Sequence, residues 1–457
     1  MKKFYLIVAC LCLALALLIG GSILIDKKLE KDSSFITDNI DMEKYASTSD
    51  SLKKKNSKNN GSFSEMEITG KEVKADNISK ITDEHELILT DIGEIKVDAG
   101  LSEEEWQSRI NLGIDSAAIN QANKDCSKLF YYSNTPDDLK QLYLEIYIAL
   151  SNYTESFYIC SINPDDIDYS FNCVMGDHPE IFYSNGYMYT KYTVEDAIIK
   201  IDFTPAYTMS KADAEEAMKH VKEYRDAFMK GISKTASDYE KIKYTYEFII
   251  INTEYDINSV ENQNILSVFL YGKSVCQGYS KAFQYLVNDL GIQCALVVGY
   301  VQDNEGHAWN IVKCNSQYYY IDCTWGDSSY LVNTTSVSTD GINFDYLNIT
   351  TAELEMTHNI DNFADVPMCI STRDNYYVKE GLYFTDINET QIAEAFKNAN
   401  ALGRDTVELK CSSSSVFDRM GKFLLDENHV FDYMSSDKDT LTYKVNQELY
   451  IYSFPLR

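Results

Sequence analysis

Cys276, His307 and Asp322 have the types and spacing to make a sulfur nucleophile with its base and its orienting group. Ser274-Val275-Cys276-Gln277-Gly278-Tyr279-Ser280 leads into a stretch with Tyr279, Ala282, Phe283, Leu286 and Leu290 at helical spacing. Gly291 stands where a C-terminal cap belongs. Cys276 is therefore expected at the helix N-terminus, where unpaired amides and the helix dipole favour a thiolate. The same amides can donate to a developing oxyanion. Gly278 is expected to allow backbone or substrate to come close.

Strands must bring the other two residues to the thiol. Gln293–Val301 reads as a buried strand, and Asp303-Asn304-Glu305-Gly306 as a turn. His307–Cys314 and Gln317–Cys323 read as strands joined at Asn315-Ser316, the spacing of a tight hairpin. In that register Cys314 faces Gln317, Asp322 faces Trp309, and His307 shares their side of the sheet. His307 and Asp322 become diagonal neighbours on the order of 7 Å apart, a gap their side chains can bridge. Singly, a cysteine at a helix start, a histidine on a strand and an aspartate at a strand end are ordinary structural residues. Their order and common register favour a site. Cys294, Cys314 and Cys323 lack a helix N-terminus and read as packing or disulfide residues, and His178 as a turn residue before Pro179.

Cys276-Gln277-Gly278-Tyr279-Ser280, Gly306-His307-Ala308-Trp309-Asn310 and Tyr320-Ile321-Asp322-Cys323-Thr324-Trp325-Gly326-Asp327 together resemble the transglutaminase-like superfamily, nearest its bacterial and cytokinesis-type branch. The close resemblance covers about seventy residues and continues more loosely back to about residue 238. It implies a papain-like core in which Cys276, His307 and Asp322 are catalytic. Members of the superfamily cross-link proteins, cleave peptides or amides, or have lost activity, so the reaction stays open. Asp177, Pro179, Glu180, Ile181 and Phe182 also resemble a segment upstream of this domain in exported bacterial relatives. No acidic loop of the EF-hand type is present, so calcium dependence is not carried over.

The rest of the chain bounds this reading. Its 457 residues are enough for two or three domains. A formal net charge of −29 argues against a nucleic-acid partner, which needs a clustered basic surface. Lys2 and Lys3 precede an uncharged stretch from Phe4 to Ile25, long enough to span a bilayer as one helix. Its length favours an uncleaved anchor over a cleaved signal. Thirty-five tyrosines suggest wide, half-buried sheet surface with polar tips. Of the eleven cysteines, Cys10 and Cys12 lie in the apolar stretch; setting Cys276 aside leaves an even number, which permits disulfides without requiring them. No CxxC pair and no His/Cys cluster at metal-ligand spacing occurs, so neither metal nor cofactor is expected.

The expected organisation is α+β: a signal-anchor or signal peptide at 1–25, a flexible linker at 26–80 and an accessory α/β region at 81–204. A transglutaminase-like domain at 205–350, its catalytic helix packed on an antiparallel sheet, precedes an accessory region at 351–457. The expected function is an extracytoplasmic cysteine enzyme at the cell membrane, or secreted if the first segment is cleaved. It would act on a peptide or glutamine carboxamide through a Cys276 thioester, with a protein or peptide as substrate. Hydrolysis is preferred to cross-linking because nothing visibly excludes water. The alternative is an inactive cell-surface binding or scaffold protein with a vestigial site. Oligomeric state is left open.

Overall fold

The computed structural model describes residues 67–74, 88–90, 93–95, 101–194, 197–301, 305–327, 341–434 and 441–456. The apolar stretch at 1–25 lies outside them. Among the described residues no helix is long and apolar enough to cross a membrane.

One part of the expected linker is a strand. β1 (Glu67–Lys74) pairs parallel to β5 (Ser184–Val194). Few of its residues are apolar, and pairing held by ladder hydrogen bonds leaves little mark on composition. A small hairpin, β2 (Ile88–Thr90) with β3 (Gly93–Ile95), follows. Next come α1 (Glu103–Asn111), α2 (Ser116–Cys126), α3 (Phe130–Asn134), α4 (Lys140–Asn152), β4 (Phe157–Tyr158) and α5 (Pro164–Asp177). β6 (Ala197–Tyr207) completes a sheet of order β1-β5-β6-β4. β5 begins at Ser184, with an irregularity in the β5–β6 pairing between Ser184 and Gly186.

α6 (Lys211–Lys230) is capped by Ser210, whose side chain accepts from the Asp213 amide. α7 (Asp238–Ile251) opens on a reciprocal Ser237–Glu240 capping box. β7 (Glu254–Tyr255), α8 (Ile265–Tyr271) and β8 (Lys273–Ser274) lead to α9 (Cys276–Asp289). Gly291, at φ +80°, ends that helix region as the sequence suggested. β9 (Cys294–Val301), β10 (Gly306–Cys314) and β11 (Gln317–Ile321) follow, then the single turn α10 (Cys323–Gly326). β12 (Leu347–Ile349), α11 (Thr351–Leu354) and β13 (His358–Ile360) complete the antiparallel sheet β12-β11-β10-β9-β13. Cys314 pairs with Gln317, and Asn315 and Ser316 both have positive φ, the backbone a type I′ hairpin requires.

The remaining elements are α12 (Tyr376–Lys379), β14 (Tyr383–Phe384), α13 (Glu389–Ala401), β15 (Thr406–Cys411), α14 (Ser414–Gly421), β16 (Lys444–Asn446) and β17 (Ile451–Pro455). Their sheet has the order β14-β15-β17-β16.

α9 is amphipathic, and Tyr279, Ala282, Phe283, Leu286 and Val287 are buried completely. A large apolar side chain so buried contributes about 1.5–3 kcal/mol. Tyr189, Tyr192 and Tyr207 lie half-buried on sheet as expected, and other tyrosines are core residues instead. Tyr131, Tyr246 and Tyr279 are enclosed in the core, and their hydroxyls pin backbone. Tyr279 donates at 2.8 Å to the Thr253 carbonyl and also lies 2.8 Å from Asp327 Oδ2. Tyr131 donates to the Leu296 carbonyl at 2.5 Å, tying α3 to β9. A phenol gives the core ring volume while its tip meets a carbonyl that would otherwise stay unpaired. All nine described cysteines are buried and free.

Candidate active site

Cys276 is the first residue of α9, and the residue before it, Val275, offers no side-chain cap. The opening amides of α9 therefore stay available to an anion. The helix is held in place from several sides. Ser280 Oγ donates to the Ala308 carbonyl at 2.9 Å, Asn310 Nδ2 to the Ser280 carbonyl at 3.0 Å, and Gln284 Nε2 to the Gly176 carbonyl at 2.7 Å. Cys276 packs against Leu296 and Ala308 and is 8% exposed. Gly278 permits a close approach, as expected. A Cβ there would lie 1.9 Å from Ser274 Oγ and 2.6 Å from Ser267 Oγ. The Asn262 carbonyl would lie 2.9 Å away, so the approach is that of the chain leading into α9, backbone included.

His307 lies on β10 opposite Gly299 of β9. Its Nε2 stands 2.7 Å from Asp322 Oδ2, and both side chains are buried. The other ring nitrogen is left for the Cys276 sulfur, which interacts with the imidazole. Trp309 stacks on the imidazole at 6.0 Å between centroids. A Cβ at Gly299 would lie 2.8 Å from Trp309 Cη2, so the missing side chain makes room for that indole.

Asp322 was expected on a strand. Pairing between β10 and β11 ends at Asn310 with Ile321, and Asp322 becomes the N-cap of α10. Its Oδ1 accepts the Thr324 amide at 2.8 Å and the Trp325 amide at 3.1 Å, which turns the chain at this point. Oδ2 remains free to face His307.

Electrostatics follow from this enclosure. Burial opposes charge on His307. The Asp322 carboxylate, the Cys276 sulfur and hydrogen bonds to both outweigh it and raise the imidazole to about 10. Burial would also raise Asp322, but the His307 charge and hydrogen bonds from His307 and His358 hold it well below the carboxylate range. At neutral pH the imidazole keeps its proton and the carboxylate stays charged.

His358, on β13, was not anticipated. Its Nε2 lies 3.1 Å from the same Asp322 oxygen, and it is completely buried. The only available signal was scarcity: the chain has six histidines, and this one lies outside every recognisable motif. His307, Asp322 and His358 offer ligand atoms within 4.8 Å of one another. Each of these atoms already takes part in an N–H···O hydrogen bond, which accounts for the spacing. Cys294, Cys314 and Cys323 are buried free thiols, and burial raises all three. His178 opens the turn before Pro179, its carbonyl accepting the Ile181 amide at 3.0 Å. It ends α5, is 5% exposed, and lies between Cys126 and Glu180.

An antiparallel sheet and one buried helix thus assemble a thiol, an imidazole and a carboxylate in the order a nucleophile, a base and an orienting group require. Residues 226–323 match the family model described as the transglutaminase-like superfamily. The match takes in Cys276 and His307 and ends one residue past Asp322. The three-dimensional relatives include a TGase, at 14% identity and TM-score 0.24, the overlap covering 33% of this chain and 53% of that one. A protein of Cytophaga hutchinsonii, provisionally described as a cysteine protease, overlaps at 14% identity and TM-score 0.21, covering 29% and 55%. A protein of Parabacteroides distasonis, provisionally described as a protease, overlaps at 11% identity and TM-score 0.18, covering 30% and 39%. The chain spans about half the length of the first two. No curated protein matches.

Proposed function

We propose that this protein is a cysteine enzyme that forms a thioester between Cys276 and the carbonyl of a peptide or glutamine carboxamide. The observation that carries the proposal is the buried His307–Asp322 contact of 2.7 Å, beside a cysteine that opens an uncapped helix. The thiol proton is held on His307, and the Cys276 sulfur adds to the carbonyl carbon. α9 amides stabilise the oxyanion. As the intermediate collapses, the C–N bond breaks and His307 returns the proton to the leaving amine. Water then adds to the thioester, giving its proton to His307, and the C–S bond breaks to release the acid and restore the sulfur. An amine in place of water would give a cross-link. We favour hydrolysis. The apolar, uncharged stretch from Phe4 to Ile25 supports a membrane-held or exported setting for it.

The test is incubation with glutamine-containing peptides, with and without a primary amine, following ammonia release and the mass of the Cys276 peptide. A transient acyl adduct on Cys276, lost in His307→Ala, is the expected result. Acid product with the amine present supports hydrolysis, and amide product supports cross-linking. No adduct with any carboxamide, together with a cellular effect that survives Cys276→Ser, would replace the enzyme by a scaffold.

A further inference from the structure

We propose that His358 is a positioning residue of the site, a second imidazole that fixes the Asp322 carboxylate and through it the orientation of His307. The inference rests on the enzymatic reading above and assigns a role that the three core motifs do not contain.

The geometry begins with the carboxylate. Asp322 Oδ1 is committed to the Thr324 and Trp325 amides, and Oδ2 faces His307 at 2.7 Å and His358 at 3.1 Å. A carboxylate is an acceptor only, so each Nε2 facing it must carry a proton. For His358 the proton is placed by a chain on its far side. Tyr346 donates its hydroxyl to Thr357 Oγ1 at 3.3 Å, and Thr357 Oγ1 lies 2.8 Å from His358 Nδ1. Thr357 Oγ1 also lies 3.4 Å from the Leu354 carbonyl, but Nδ1 is its nearer acceptor, and with Nε2 facing the acceptor-only Asp322 the His358 proton sits on Nε2. Burial holds the ring neutral by lowering His358, and the adjacent His307 charge acts the same way, against the pull of Asp322.

Packing makes the arrangement rigid. His358 stands edge-on to Trp309 at 5.1 Å and lies against Trp325 at 4.8 Å and Tyr346 at 5.6 Å between centroids. β13 is hydrogen-bonded to β9, and β9 to β10, so the two histidines come from strands on either side of one central strand. Without His358, Oδ2 would keep one donor and could rotate away from His307 within the pocket. A neutral donor holds the carboxylate without competing for its charge, which stays available to the His307 imidazolium.

The test is the second-order rate of Cys276 alkylation by iodoacetamide in the full chain, located by mass spectrometry, with melting temperatures measured in parallel. Three variants are compared with wild type: His358→Leu, which removes the donor; His358→Gln, which keeps an N–H at similar reach; and Thr357→Val, which leaves the ring but frees its tautomer. His358→Leu is expected to slow labelling about tenfold or more, His358→Gln to recover most of that loss, and Thr357→Val to fall between, as for loss of a hydrogen bond to a charged group. Equal slowing in His358→Leu and His358→Gln would reduce the role to packing and overturn the proposal. So would unchanged rates in His358→Gln and Thr357→Val beside a His358→Leu chain that fails to fold. Wild-type Cys276 that labels no faster than a buried thiol would sink the enzymatic reading with it, whereas His307-dependent labelling indifferent to residue 358 would sink this inference alone.

Discussion

Among the described residues, a cysteine, a histidine and a carboxylate are brought together in two places. In the core, His307 Nε2 is 2.7 Å from Asp322 and its ring meets the Cys276 sulfur. Beside α2 and α5, His178 Nδ1 is 2.7 Å from Glu180 Oε1, and its Nε2 is 3.8 Å from Cys126 Sγ. Each has a thiol, an imidazole and a carboxylate, and the histidine–carboxylate distance is the same. The surroundings are opposite. Cys276 opens a helix, where the dipole favours an anion, and Cys126 closes one, where it opposes an anion. Burial first, then the charges of Asp177, Glu180 and Asp125, drive the Cys126 thiol far above its ordinary range. Asp322 is fully buried, whereas Glu180 is 39% exposed and shares its charge with water. A triad of types is thus insufficient. The helix end that carries the sulfur and the burial of the acid decide whether the trio can activate a nucleophile.

The largest expected effect is the contrast between the two thiols. In native protein at neutral pH, iodoacetamide should label Cys276 at least about a hundredfold faster than Cys126, since the thiolate is the reacting form. Peptide mapping of alkylated protein reads both sites in one experiment. Comparable rates would erase the distinction drawn from the helix ends.

A smaller contrast lies in the orienting acids. Asp322→Asn should slow Cys276 labelling by roughly one to two orders of magnitude, because the amide disturbs both the charge beside His307 and its tautomer. Glu180→Gln should leave Cys126 as inert as before, since burial dominates its thiol. Faster labelling of Cys126 in Glu180→Gln would mean that the exposed carboxylate, not burial, silences that site.

Much of the core site was legible because its parts are local in sequence. The hairpin at Asn315-Ser316 sets the register between β10 and β11, and one helix start sets Cys276. Asp322 was read one step too simply. Alternation carries a strand pattern through Tyr320-Ile321-Asp322, and only the capping bonds to Thr324 and Trp325 show that the chain turns there. His358 was illegible for a different reason. It reaches Asp322 from β13, a strand too short to show a period, paired with β9 across a large sequence separation. Gly278 shows the same limit: the sequence marks a need for space, and only the fold says that Ser274 and Ser267 fill it. The second trio is likewise tertiary, since Cys126 and His178 belong to different helices.

The smallest expected effect distinguishes the two regions by the sign of their pH dependence. Asp177 lies beside His178 and accepts the Tyr131 and Tyr132 amides at 2.9 and 2.8 Å. Burial raises it from an ordinary 3.8 to about 6, with the His178 charge and these hydrogen bonds partly opposing. The folded chain then holds a proton that the unfolded chain has released, so the Asp177 contribution to stability falls as pH rises from about 3.8 to about 6. Asp322 is lowered instead, so its contribution is present above about 3.8 and is lost as pH falls. Melting temperatures of wild type, Asp177→Asn and Asp322→Asn from about pH 3 to pH 7 read both contributions, each on the order of 1–3 kcal/mol. The gap between wild type and Asp177→Asn should narrow with rising pH, and the gap to Asp322→Asn should widen. Gaps that move together would show that the two regions share one electrostatic character, and the distinction would then rest on the helix ends alone.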